Sequence, residues 1–98
     1  GSAPAYFFYF MQAMQQKAEE LGFNSTEAKA MVAQTALGAA TMALQSEHSF
    51  AELRAQVTSK GGTTHEAVTT FSEQGLEQMV AKAMQAAIAR AEAMANTL

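Results

Sequence analysis

The chain has 98 residues, 49% of them hydrophobic and only 15% charged, where a soluble domain ordinarily carries about a quarter charged residues. That composition excludes a disordered or fibrous chain, and the shortage of charge predicts that much apolar surface is covered by a partner. Six basic against nine acidic side chains leave a net charge of −3, without the basic stripe that nucleic acid demands. There is no cysteine, which excludes disulfide scaffolds, Cys-ligated zinc and thiol nucleophiles and fits a reducing, cytoplasmic compartment.

The only proline, Pro4, opens the first predicted helix, since its fixed φ suits the first helical position. The apolar run Ala5–Phe10 (AYFFYF) is followed at once by Gln12, Gln15, Gln16 and Lys17. It supplies about half of the ~20 apolar residues that a bilayer crossing requires, and it lacks the flanks of a signal peptide. No membrane association is expected. The helix should reach Leu21, with Gly22 as the residue that accepts a left-handed backbone.

Asn24, with Glu27 three residues on, reads as a capping-box start for a second helix running to Gln45 or Ser46. It is expected to be the longest segment. Its apolar and small residues, from Ala28 and Val32 through Leu37 and Gly38 to Leu44, cover more than one stripe, as in an interior helix. Gly38 reads as permitting close approach of another backbone. Ser49 and Glu52 repeat the capping pattern before a short helix over Phe50–Val57. A glycine-rich loop, Thr58-Ser59-Lys60-Gly61-Gly62-Thr63-Thr64, leads to a fourth helix from about His65 to Ser72, closed by Gly75. The fifth starts at Leu76 and carries Val80, Ala83, Met84, Ala87, Ile88, Ala91 and Met94 in steps of three and four. No stretch alternates with period two, so the predicted class is all-α with about five helices. Too many faces are apolar for so small a core, and an intertwined homodimer is the simplest way to cover them.

The Ser59–Thr64 loop is the most informative stretch for chemistry. Gly61 and Gly62 let successive N–H groups point into one space, and the helix N-terminus behind them adds unpaired donors and partial positive charge. Such an arrangement cradles a carboxylate or phosphate. Its plainer reading is an interhelix loop whose threonine caps the fourth helix. No Walker A pattern is present. His65, in the next turn, is a candidate general acid, though histidines there more often cap or face solvent. His48 lies in a polar turn. Glu47, beside it, is either a ligand-orienting carboxylate or an ordinary exposed acid. Glu19 and Glu20 point apart on a helix and read as a solvated face. The methionines read as packing, and the absence of aspartate leaves no plausible metal-ligand set.

Three blocks in order carry a resemblance. Gly1–Tyr6 (GSAPAY), Gln34–Met42 (QTALGAATM) and Glu52–Thr64 (ELRAQVTSKGGTT) are similar to the GSGPAY, QTxLGAAxM and ELRxxVTSPGGTT segments of the C-terminal domain of pyrroline-5-carboxylate reductase. The resemblance covers essentially the whole chain. It implies an intertwined homodimer of the 6-phosphogluconate-dehydrogenase C-terminal-like type, alone or built into a higher oligomer. It also implies an enzyme that reduces 1-pyrroline-5-carboxylate to L-proline with NADPH or NADH. The nucleotide would bind an N-terminal Rossmann domain absent from this chain, which has no GxGxxG fingerprint. No cofactor is expected on the chain by itself, which should be inactive alone.

By the same resemblance, the amides of Gly62, Thr63 and Thr64 with the Ser59 hydroxyl hold the substrate carboxylate, Gly61 shapes the loop, and the Thr64 hydroxyl bonds the ring nitrogen as the catalytic contact. Glu47 matches a glutamate near the substrate. Gly62→Val should be especially damaging, because a β-branched residue resists positive φ and crowds the anion. Two positions depart from the family: Lys60 replaces a usual proline and Ala55 a common acidic residue. The rival readings are a structural dimerisation module without a small-molecule site and a related domain from another imine or 3-hydroxyacid reductase.

Overall fold

The computed structural model describes residues 2–96. Gly1 of the GSAPAY block and the last two residues beyond the fifth helix lie outside the described part. Five α-helices follow one another: α1 (Ala3–Glu20), α2 (Ser25–Gln45), α3 (Phe50–Gln56), α4 (Thr63–Glu73) and α5 (Leu76–Asn96). No strand occurs among the described residues, as the alanine content and the single proline predicted. No helix among them is long and apolar enough to cross a membrane. The chain divides at Phe50/Ala51 into two compact units.

In the first unit α1 packs against α2. Helix α1 starts at Ala3, one residue before the expected Pro4, and stops at a Schellman-type turn. There the Phe23 N–H donates to the Ala18 carbonyl at 3.2 Å and the Gly22 N–H to Glu19 at 3.0 Å. Gly22 holds φ +112°, which satisfies the last carbonyls in the way a left-handed residue allows. Asn24 then caps α2: its side-chain oxygen accepts from the Glu27 N–H at 2.8 Å, and its side-chain N–H donates to Glu27 Oε1 at 2.8 Å. The exposed pair Lys17–Glu20, 3.3 Å apart, leaves that end of α1 a solvated face, as read from the sequence.

Among the described residues of this unit only Ala28 and Val32 are buried, at 0% and 9% exposure. They lie one turn apart on the face of α2 toward α1. Leu37, nine residues beyond Ala28, is rotated about 180° from it, and Leu37 and Leu44 are exposed. On α1, Phe7, Phe8 and Tyr9 are 69%, 67% and 76% exposed. The unit thus has a core two residues wide and apolar side chains on its other faces. Beyond its own turns of helix, no atom among the described residues lies within 4 Å of where a Cβ on Gly38 would stand. The close backbone approach expected there is not made within the chain.

In the second unit α4 packs against α5, joined through Gln74 and Gly75, the latter at φ +83°. Gly75 closes α4 by donating to the Ser72 carbonyl at 3.1 Å and opens α5 by accepting from the Met79 N–H at 2.9 Å. The stripe read along α5 is helical throughout, yet none of its residues is buried: Leu76, Val80, Met84, Ile88 and Met94 remain exposed. Helices α2 and α5 each have 21 residues, so α2 is not the single longest. Helix α4 begins at Thr63, two residues ahead of the expected His65.

Candidate functional site

Five of the six residues singled out for substrate binding fall at the junction of α3 and α4. Helix α3 ends where the Thr58 hydroxyl donates back to the Arg54 carbonyl at 2.6 Å. The chain then folds over itself, and the Gly62 N–H donates to the Ser59 carbonyl at 3.1 Å. Gly62 is the N-cap of α4 and has no side chain with which to cap it. Its carbonyl accepts the first helical bond, from Glu66, at 3.1 Å. The N–H groups of Thr63 and Thr64, in the first turn, are therefore left without an acceptor among the described residues. Neither threonine caps the helix, so the capping role in the plainer reading of the loop is not made. Ser59, Gly61, Thr63 and Thr64 are exposed and Gly62 is half-buried.

Two expectations about the glycines need correction. The Gly62 amide is not a free donor, because the Ser59 carbonyl takes it; the free donors begin at Thr63. Nor does Gly62 carry the positive φ: it sits at φ −85°, ψ −179°, and the left-handed residue is Gly61 at φ +76°. A Cβ on Gly61 would meet nothing within 4 Å, whereas one on Gly62 would stand 2.7 Å from Ser59 Oγ. The first glycine is needed for its backbone, the second for the space it leaves.

Glu47, the sixth residue, is exposed on the connector between α2 and α3, in the first unit. His48 shares that connector, where its N–H donates to Ser46 Oγ at 3.0 Å. His65 stands in the first turn of α4 and lines an open trough of about 530 Å³. Arg54 and Thr58, Val68 and Ser72 of α4, and Leu76 of α5 line it too, but none of Ser59–Thr64 does. No expectation from the sequence pointed to this trough. Its lining comes from three helices, and no local motif announces it.

The sequence was compared with known families and proteins. A profile described as pyrroline-5-carboxylate reductase dimerisation matches residues 1–94. The chain belongs to that dimerisation family. Among the relatives of this family, a pyrroline-5-carboxylate reductase of Vibrio alginolyticus is 58% identical over 96% of this chain and 35% of its own length. One of Pseudomonas aeruginosa is 49% identical over 100% of the chain and 36% of its own length. The solved structure of a pyrroline-5-carboxylate reductase from Coxiella burnetii superposes with a TM-score of 0.90 at 46% identity, over 94% of this chain and 34% of that one. The Plasmodium falciparum pyrroline carboxylate reductase, solved with NADP bound, superposes with a TM-score of 0.92 at 26% identity, over 96% and 36%. The chain thus spans about a third of the length of the curated relatives it matches. All five helices of this dimerisation-family chain agree with the all-α architecture expected of it.

Proposed function

We propose that this chain is the dimerisation and substrate-loop portion of a cytoplasmic reductase that converts 1-pyrroline-5-carboxylate to L-proline. The observation that carries the reading is the uncapped start of α4. Two unpaired amides, Thr63 and Thr64, stand behind a serine whose side chain lies against the N-cap residue. Oriented amides at a helix N-terminus bind a carboxylate without a basic side chain. In this reading the substrate carboxylate accepts from the Thr63 and Thr64 N–H groups and from the Ser59 hydroxyl, and Gly61 makes the turn that brings them together.

With the anion clamped, the ring nitrogen meets the Thr64 hydroxyl, and the imine carbon presents a fixed face to the reductant. NADPH or NADH, held by an N-terminal Rossmann domain, supplies the hydride to that carbon. The described part of this chain has no strand, and therefore no strand–turn–helix to cradle a pyrophosphate. With the imine nitrogen protonated from solvent beforehand, hydride addition at carbon sends the C=N π pair to nitrogen, and the nitrogen keeps that proton as the amine. Alone, the chain binds substrate weakly and turns nothing over.

Two copies form the working unit, and higher oligomers can be built from it. The chain exposes 8219 Å², whereas a self-contained protein of 10.4 kDa exposes about 5,400 Å². The excess, roughly 2,800 Å² per copy and so about 5,600 Å² for a pair, lies at the upper end of the range of obligate dimers.

Titrating the chain with L-proline or another five-membered cyclic carboxylate tests the site. Amide NMR shifts should centre on Ser59–Thr64, accompanied by a rise in melting temperature. Shifts absent from that segment at millimolar ligand would favour a purely structural dimerisation module.

A further inference from the structure

Gly61 and Gly62 are adjacent, but different physics requires each of them. Gly61 is left-handed with open space around it, so its role ends with the backbone it permits. Gly62 has an extended conformation that any residue adopts, at φ −85° and ψ −179°. What excludes a side chain there is Ser59. A Cβ on Gly62 would stand 2.7 Å from Ser59 Oγ, 3.3 Å from the Ser59 carbonyl oxygen and 3.9 Å from Ser59 Cβ, with nothing else among its nearest neighbours. The 3.1 Å bond from the Gly62 N–H to that same carbonyl holds the two residues in this approach.

We infer that Gly62 is a positioning residue: its missing side chain is the seat of the Ser59 hydroxyl, and it acts on substrate through Ser59 rather than by clearing room for the anion itself. This rests on the substrate-loop reading above. Ser59 is exposed and turns about a single χ1 bond, so a methyl group at position 62 expels the hydroxyl to another rotamer without unfolding the loop. The loss is one hydrogen bond to a charged group, and it leaves the core untouched.

The test is a double-mutant cycle in the full-length protein with Gly62→Ala, Ser59→Ala and both together. Each single variant should raise KM for 1-pyrroline-5-carboxylate about tenfold or more, leaving KM for the nicotinamide cofactor and Tm nearly unchanged. The double variant should match Ser59→Ala alone, because no hydroxyl remains to be displaced. The residual 3.3 Å approach to the Ser59 carbonyl is relieved by a shift of a few tenths of an ångström. A Gly62→Ala protein that fails to fold alone but folds in the Ser59→Ala background, with the KM of Ser59→Ala, gives the same support. Losses that multiply in the double variant overturn the proposal and make Gly62 a direct neighbour of the anion. A Ser59→Ala enzyme with unchanged KM overturns the proposal together with the functional reading beneath it.

Discussion

Thr63 and Thr64 follow one another in the first turn of α4, so their side chains leave the helix about 100° apart and cannot share one task. The Thr64 hydroxyl makes no hydrogen bond within the described chain and the residue is exposed, so the fold does not depend on it. Thr64→Ala should therefore lower kcat/KM of the full-length enzyme by about tenfold to a hundredfold, the size of one hydrogen bond to a charged or developing ammonium group, with Tm almost unmoved. Thr64→Ser should recover most of the loss. Steady-state kinetics beside a thermal melt checks both, and unchanged kinetics would remove Thr64 from the chemistry. At this scale the sequence was legible down to the loop but not to the single glycine. A Gly-Gly pair offers positive φ twice, and only the closing Ser59–Gly62 bond decides that Gly61 takes it. The late start assigned to α4 has the same origin. A capping threonine would start the helix near His65, while the N-cap here is a glycine whose turn alone starts it.

Local chemistry sets the ends of the helices well. Gly22 in a left-handed turn and Asn24 capping α2 through the Glu27 N–H lie where the pattern puts them, because stop and start signals act over four or five residues and require no partner. The faces are another matter. Ala28 has no accessible surface, and Val32, one turn on, is nearly as buried; together they are where α1 and α2 meet. Ala28→Leu adds three carbons at a place without room, and should cost about 1–3 kcal/mol, a fall of several degrees in Tm by calorimetry or circular dichroism. An unchanged Tm would mean that α1 and α2 are held together from elsewhere. Gly38, read as a point of close backbone contact, has open space around it within the chain; the helix periodicity that flagged it carries no information about which backbone would approach.

For the molecule as a whole, the decisive quantity is apolar surface without a cover. Each unit has a slender interior: Ala28 and Val32 in the first, and no fully buried hydrophobic residue among the described part of the second. In the proposed dimer a second copy supplies the missing half, and melting should then depend on concentration. Leu37 lies on the side of α2 away from Ala28 and is 60% exposed, so a charge there costs the single chain little. Leu37→Glu should raise the dimer dissociation constant at least about a hundredfold, as a carboxylate is driven into an apolar contact without a partner. Light scattering at micromolar concentration reads it directly. A wild-type chain that runs as a stable single copy would contradict the assembly argument.

The order of five helices, their caps and stops, and a glycine-rich turn before α4 are determined by the sequence alone. Alanine content, one proline and the Asn24–Glu27 pair act on backbone within a turn of themselves. Tertiary structure decided which glycine bends and which makes room, which amides the loop leaves free, and which of the several apolar faces of α2 meets α1. Those outcomes depend on atoms brought together across turns and between helices, and a helix apolar nearly all round carries no mark of the face its neighbour will choose.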